Sequence, residues 1–278
     1  MNINQLNQLY KSPAGDKLAR EELLPVVGRY LGARARPKIL EVGCGFGRNL
    51  VALSEISGAQ VFGCDFSVVE LRKAEERLRA RGITNVELVH QTDESRLPFE
   101  NNTFDLVVAW QLLEHVPSRA VKARLITEMT RVVKDEGLLL IETPNFWFPI
   151  DYHDNRLPFV HWFLRDKWRY RLTRLVRDED FPPSQYTSIL ELRGWLRGSP
   201  HVRSWNQLSK IYFEERYTDV FRHLGGTNLR FKKIFFLIYF PLYLLLRLGR
   251  LPGDLFTPSV RVVFQINDSK EDHTLTQI

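Results

Sequence analysis

Between Lys38 and Thr143 the chain alternates short apolar runs with longer stretches whose apolar positions recur every three or four residues. The short runs are Lys38–Val42, Gln60–Asp65, Val86–His90, Asp105–Trp110 and Gly137–Thr143. They are rich in branched residues and too short for stable helices, so each predicts a buried strand. The stretches near Arg48–Ile56, Ser67–Arg81 and Ser118–Val133 predict amphipathic helices. Ser67 followed by Glu70 has the pattern of a capping box, and Asn101-Asn102 marks a turn before the fourth strand. Strand and helix in alternation predict βαβ units, and hence a mostly parallel, doubly wound α/β sheet with helices on both faces.

The flanks follow a different rhythm. Residues 1–36 read as a polar lead-in and a helix from about Asp16 to Leu31, which Pro37 stops. Residues 37–145 form the α/β core. Residues 146–186 crowd aromatic, Pro, His and Arg residues and predict an insertion. A helix near Ser188–Arg197 and strands near Val202–Gln207 and Val260–Ile266 then complete a seven-stranded sheet over residues 187–267, before a polar tail at 268–278.

Two segments interrupt this scheme. Residues 165–177 hold Arg165, Lys167, Arg169, Arg171, Arg174 and Arg177 against the single acid Asp166, while Trp168, Leu172, Leu175 and Val176 share one helical face. That is a basic amphipathic helix, packed on the core with a solvated basic face or laid on an anionic membrane. A second, apolar insertion covers 231–250. Its uncharged run Ile234–Leu246 is flanked by Lys232, Lys233, Arg247 and Arg250. As a helix it would reach roughly 20 Å, short of the ~30 Å hydrocarbon core. It is therefore expected to dip into a membrane face, fill a subunit interface or pack inside, not to span.

Composition narrows the class further. The chain has 278 residues, of which 44% are hydrophobic, enough for one well-cored domain. Cys44 and Cys64 cannot build a disulfide framework and do not form a CxxC pair, so both are expected as buried fillers, with no metal site. Met1–Gln5 shows neither a basic nor an apolar signal region, so a cytoplasmic setting is expected, with peripheral attachment at the inner face of a membrane as an option. A net charge of +6 suits an anionic surface or substrate without choosing one. Oligomeric state is not legible.

The chemistry concentrates after the first strand, in Ile39-Leu40-Glu41-Val42-Gly43-Cys44-Gly45-Phe46-Gly47. Here a strand runs into a glycine-rich turn that opens a helix, where the backbone can approach a ligand closely. The third glycine comes one residue earlier than in the dinucleotide fingerprint, and an acid precedes the loop. Asp65 ends the second strand. Gln91-Thr92-Asp93-Glu94-Ser95-Arg96-Leu97-Pro98-Phe99 follows the third, and Phe104–Val116 contains the fourth. Gly137-Leu138-Leu139-Leu140-Ile141-Glu142-Thr143-Pro144-Asn145 forms the fifth.

In this order the segments resemble the motifs of class I S-adenosylmethionine (SAM)-dependent methyltransferases of the type 11 group, over about two fifths of the chain. Phe104–Val116 matches "FDxVxxxxxLEHV", residues 91–99 are similar to "GDAxxLPF" with Thr92 in place of glycine, and the fifth strand is similar to "GGxLxIxTPN". The resemblance implies a Rossmann-like fold and SAM as cofactor. It implies that Glu41, Gly43, Gly45, Asp65, Phe66, Asp93, Glu94 and Gln111 bind it. Asp65 would accept from the ribose hydroxyls, and Asp93 from the adenine amino group, with the next backbone N–H facing the ring. Leu113–Val116 would lie beside the reacting methyl group. The "TPN" ending and the aromatic, His-containing stretch after it resemble methyltransferases of sugars and lipids.

Methyl transfer from a sulfonium is an in-line displacement that cancels charge, so it needs excluded water and a well-oriented acceptor. A hydroxyl acceptor gains from a general base near pH 7, for which histidine is suited. His115 is the first candidate because it follows the fourth strand at the carboxyl edge of the sheet. His153 and His161 in the insertion come next. The expected reaction is O-methylation of a small, sugar-like or lipid-linked acceptor. The rivals are a nicotinamide-dependent oxidoreductase, which does not require the Asp93 and Leu113–Val116 segments, and a non-catalytic adapter of the same fold at a membrane. A nucleic-acid substrate is not expected, since no "NPPY"-like tetrapeptide ends the fourth strand.

Overall fold

The computed structural model describes residues 13–32, 34–93, 96–149, 151, 154, 159–177, 183–208 and 259–267. Their centre is a seven-stranded sheet in the order β3-β2-β1-β4-β5-β7-β6. The strands are β1 (Lys38–Val42), β2 (Gln60–Asp65), β3 (Val86–His90), β4 (Phe104–Trp110), β5 (Val133–Pro144), β6 (Ser204–Gln207) and β7 (Ser259–Asn267). β1 to β5 pair in parallel, whereas β7 runs antiparallel to both β5 and β6. The strand order reverses between β1 and β4, and the crevice at the carboxyl ends of such strands is where open α/β sheets bind ligands.

The period-two alternation of the strands sorts the core into two layers. Leu40, Val42, Val107, Ala109, Leu139 and Ile141 pack with α5 (Arg119–Val132) and α8 (Ile189–Gly198) on one face. Ile39, Val61, Leu106, Val108, Leu138 and Leu140 pack with α2 (Leu24–Leu31), α3 (Arg48–Leu53) and α4 (Val68–Arg79) on the other. Serine starts three of the helices: the Ser67, Ser118 and Ser188 hydroxyls accept the amides of Glu70, Val121 and Glu191.

Three local expectations need correction. The helix expected over Asp16–Leu31 is two, α1 (Pro13–Glu22) and α2, broken at Leu23. Pro25 has no amide to continue the ladder and instead occupies the first turn of α2, where none is needed. The reciprocal half of the capping box at Ser67 goes elsewhere, because the Ser67 amide donates to Asp65 Oδ1 at 2.8 Å. The complete box forms at Ser188 and Glu191. Finally, β5 begins at Val133 and not Gly137. Val133 faces Phe104, the chain bulges through Glu136 (φ 57°), and Leu138 resumes the ladder opposite Leu106.

The N-terminal helices are anchored by charge. Asp16 is buried and accepts from Arg77 Nε at 2.9 Å and Arg81 Nε at 2.7 Å, which binds α1 to α4. Removing this acid leaves Arg77, itself 6% exposed in its side chain, buried without its carboxylate. Urea denaturation should therefore show Asp16→Ala losing about 3–5 kcal/mol. By contrast Arg20→Ala, which breaks the half-exposed Arg20–Glu55 pair, should lose less than about 1 kcal/mol. Equal small losses would show that α1 is not held by this pair.

Candidate active site

The site begins where β1 ends. Gly43, Gly45 and Gly47 all have positive φ (69°, 49° and 74°), a conformation that side chains strain. The turn is drawn onto β2, since the amides of Gly43 and Cys44 both donate to Cys64 O, at 2.8 and 3.0 Å. A Cβ on Gly43 would lie 2.4 Å from Leu112 Cδ1, so its missing side chain lets the β4 end close over the loop. At Gly45 the same position meets nothing within 4 Å, which leaves an open approach to the backbone.

Asp65 joins the neighbouring strand ends. Its Oδ2 accepts from the Gly45 amide at 2.9 Å and its Oδ1 from the Ser67 amide. One carboxylate thus fixes both the glycine loop and the turn into α4. Phe66, the next residue, is 60% exposed. Gln91 continues the chain of contacts: its amide donates to Asp65 O, and its Nε2 to Asp93 O at 2.7 Å. Asp93 is exposed, and its carbonyl also accepts the Arg96 amide, closing the turn after β3. Glu94 lies outside the described residues.

Glu41 sits beneath the loop and is 1% exposed. Asn49 Nδ2 donates to its Oε1 at 2.7 Å, while its Oε2 is buried without a hydrogen-bond partner. Burial pushes its pKa up to about 8, against the lowering effects of Asn49 and Arg48. A buried carboxyl with an unused acceptor fits a ligand that brings a donor or a positive charge. SAM carries both, in its ammonium and its sulfonium, so this site fits the cofactor that the motifs imply. Burial also raises the Cys44 and Cys64 thiols, which keeps both protonated, as fillers require.

The β4 end supplies the far wall. Gln111 takes the left-handed conformation (φ 54°), and its amide donates to Glu142 O at 2.8 Å. A 3-10 turn follows at Leu113–His115, with Glu114 buried and His115 exposed. Glu114 Oε2 accepts from Thr143 Oγ1 at 3.3 Å, and its carbonyl from the Gln185 amide at 2.8 Å. The return leg of the insertion is therefore fastened to the end of β4. Lys122 on α5 locks the same leg: its buried ammonium donates to Gln185 O and, at 2.9 Å, to Thr187 Oγ1. Burial lowers its pKa to about 8, against the pull of Glu114 and Glu191.

His161 sits on α6 (Val160–Phe163), deeper in the insertion. Its Nε2 donates to Phe146 O at 2.9 Å, since a carbonyl can only accept, and this leaves Nδ1 as an acceptor with no hydrogen-bond partner. Burial lowers its pKa and keeps the ring neutral. His153 lies outside the described residues. So the structure brings Glu41, Gly43, Gly45, Asp65, Phe66, Asp93, Gln111 and His115 to the carboxyl edges of β1 to β4, while His161 is tied to Phe146, just past the end of β5. The motif reading overlooked Asn49, Gln91 and Lys122. Their one signal in the sequence was a polar residue at a position that should face the core.

Known proteins give the same answer. Residues 39–137 match the family model of a methyltransferase domain. Demethylmenaquinone methyltransferase of Geobacillus stearothermophilus is 36% identical over 114 residues, covering 40% of this chain and 47% of that protein. An uncharacterized protein of Haemophilus influenzae is 35% identical over 103 residues, covering 37% and 41% respectively. The chain thus spans less than half the length of these two relatives. Among solved structures, Bacillus subtilis YcgJ superposes with a TM-score of 0.52 at 16% identity, covering 91% of this chain and 99% of that one. Haemonchus contortus phosphoethanolamine N-methyltransferase 2, solved with SAM, superposes at 0.51 and 15% identity, covering 95% and 60%. These two likenesses concern the fold. Over residues 39–137 the chain is thus similar to a methyltransferase domain, in agreement with the class I SAM-dependent motifs of the sequence.

Proposed function

We propose that the chain transfers the methyl group of SAM to an oxygen of a small, sugar-like or lipid-linked acceptor, working in the cytoplasm and peripheral to a membrane. The observation that carries the cofactor half is the unpartnered, buried Glu41 Oε2 under a glycine loop whose Gly45 backbone is open. SAM supplies the electrophilic methyl when bound. Asp65 and Gln91 hold the β2 and β3 ends in register for a nucleoside, and Glu41 meets positive charge. The acceptor half is supported by the insertion fastened beside Glu114. It draws further support from a relative named for a quinone acceptor, demethylmenaquinone.

His115 is assigned as the general base, because its imidazole stands exposed on the turn that ends β4. His161 is the second reading, favoured by its fixed tautomer and unpartnered Nδ1. His115→Ala should lower turnover by ~10²–10⁴ while sparing SAM affinity. A loss below about tenfold moves the role to His161, tested by the same substitution there.

The cofactor assignment has a proton signature. With its pKa near 8, Glu41 is protonated in the free protein at pH 7; a bound cation stabilises the carboxylate and drives the proton off. SAM affinity should therefore rise with pH up to about 8 and level off above it. Calorimetry at pH 7 in phosphate and in Tris should give binding heats that differ by the buffers' protonation heats. Glu41→Gln should abolish that difference and weaken binding. Asp65→Ala should weaken SAM binding by about 2–3 kcal/mol without removing the proton release. Binding heats that do not depend on buffer would place Glu41 away from the cofactor's charge.

A further inference from the structure

The insertion is built inside out. Between the end of β5 and its return at Ser184, it runs through α6 and α7 (Asp166–Arg177). The side of α7 turned to the protein is polar: Arg169 and Thr173 are buried. Arg169 Nη2 donates to Asp154 Oδ2 at 2.7 Å and to Ser184 O at 3.0 Å, and the guanidinium lies 5.3 Å from the Tyr186 ring centre. Asp154 is fully buried and also accepts from the Ser184 amide and hydroxyl. Tyr186 Oη in turn donates to the fully buried Asp151.

This polar centre fixes the rotation of α7 about its axis, and of the two placements the apolar pattern left open it turns the apolar side outward. Trp168 and Leu175, seven residues apart and so on one side, are 54% and 83% exposed; Leu172 is half-buried. The side chain of Val176 lies outside the described residues. Just before them in the chain Phe163 on α6 is 79% exposed, and Phe159 and Leu164 are exposed as well. Arg165 just before α7 and Lys167, Arg171 and Arg174 on it are exposed, and Arg171 lies 4.9 Å from the Trp168 ring centre. The single acid of the stretch, Asp166, is 58% exposed in its side chain and contacts Arg169 and, at 2.9 Å, Gln185 Nε2, so it offsets one of those four cations and the surface stays basic.

We propose that the α6–α7 surface, with Phe163, Trp168 and Leu175 as its apolar anchors, docks on an anionic lipid bilayer. An anionic bilayer satisfies both halves of the surface at one depth: acyl chains take the apolar stripe, headgroups take the cations, and tryptophan favours the boundary between them. A second copy of this chain fits poorly, because a two-fold contact would press four cations against four more. The dock would sit on the insertion whose return leg is fastened to Glu114, so an acceptor dissolved in the bilayer would enter beside the β4 and β5 ends. This purpose rests on the lipid-linked reading of the acceptor, whereas the docking does not. The apolar run Ile234–Leu246 lies outside the described residues and takes no part in the proposal.

Flotation of the full chain with vesicles tests it. Binding should be strong to phosphatidylcholine vesicles containing phosphatidylglycerol, weak to phosphatidylcholine alone, and reduced by salt. Phe163→Ser with Trp168→Ser should lower the bound fraction at least about tenfold. Arg165, Lys167, Arg171 and Arg174 changed together to Gln should lose the preference for anionic lipid. SAM affinity and the melting temperature serve as controls: unchanged values in both variants separate a failed dock from a failed fold or a failed cofactor assignment. Vesicle binding that is absent in the wild type, or retained in full by Phe163→Ser with Trp168→Ser, would overturn the proposal. So would a dimer that the same double variant converts to monomer.

Discussion

A parallel sheet delivers its strands' carboxyl ends to one edge but does not by itself hold the loops there in register. Asp65 supplies that hold. Each of its oxygens accepts one backbone amide, from Gly45 after β1 and from Ser67 before α4, so a single side chain sets the spacing of two neighbouring strand ends. The glycine loop depends on it at Gly45, whose amide it holds at 2.9 Å, while Cys64 O holds the amides of Gly43 and Cys44. Gln91 extends the same arrangement to the end of β3 by binding Asp93 O. The charge-assisted bonds at Asp65 are stronger than neutral ones, which suits a loop that must keep its shape while a ligand meets its backbone.

Buried polar groups do comparable work on either side of this edge. Burial under the loop raises the pKa of the Glu41 carboxyl to about 8, the kind of perturbation that marks ligand sites. Lys122 ties the insertion's return leg to α5, and Arg169 orients α7 through Asp154. Groups of this kind add little net stability, but an alternative packing would leave them unpaired, which is how they select one arrangement of the insertion.

The sheet was legible because its signals are local. Branched runs of five to seven residues, serine caps and the glycine turn each act within a few positions, and they located β1 to β4 to within a residue. The errors came from local competitors as well as from interactions across the chain. Pro25 split a helix whose apolar pattern is continuous, and Asp65 took the Ser67 amide that Glu70 was expected to take. The start of β5 moved because Val133 pairs with Phe104, a partner no local pattern names. The rotation of α7 was not legible either, because the apolar pattern left the Trp168 and Leu175 side open to the core or to a membrane. A helix rotates to satisfy its most costly buried group, and here that is Arg169 with Asp154. The candidate cofactor residues were read from motif order alone, while Asn49, Gln91 and Lys122 required the fold.

The central claim is that the edge formed by the glycine loop, Asp65 and the turn after β3 is the SAM site. Amide hydrogen exchange with and without saturating SAM tests it residue by residue. Protection should rise at least about tenfold across residues 43–47, 65–67 and 91–93, and at 111–115 beside them. Exchange unchanged at those positions, or slowed only within 146–186, would contradict the account.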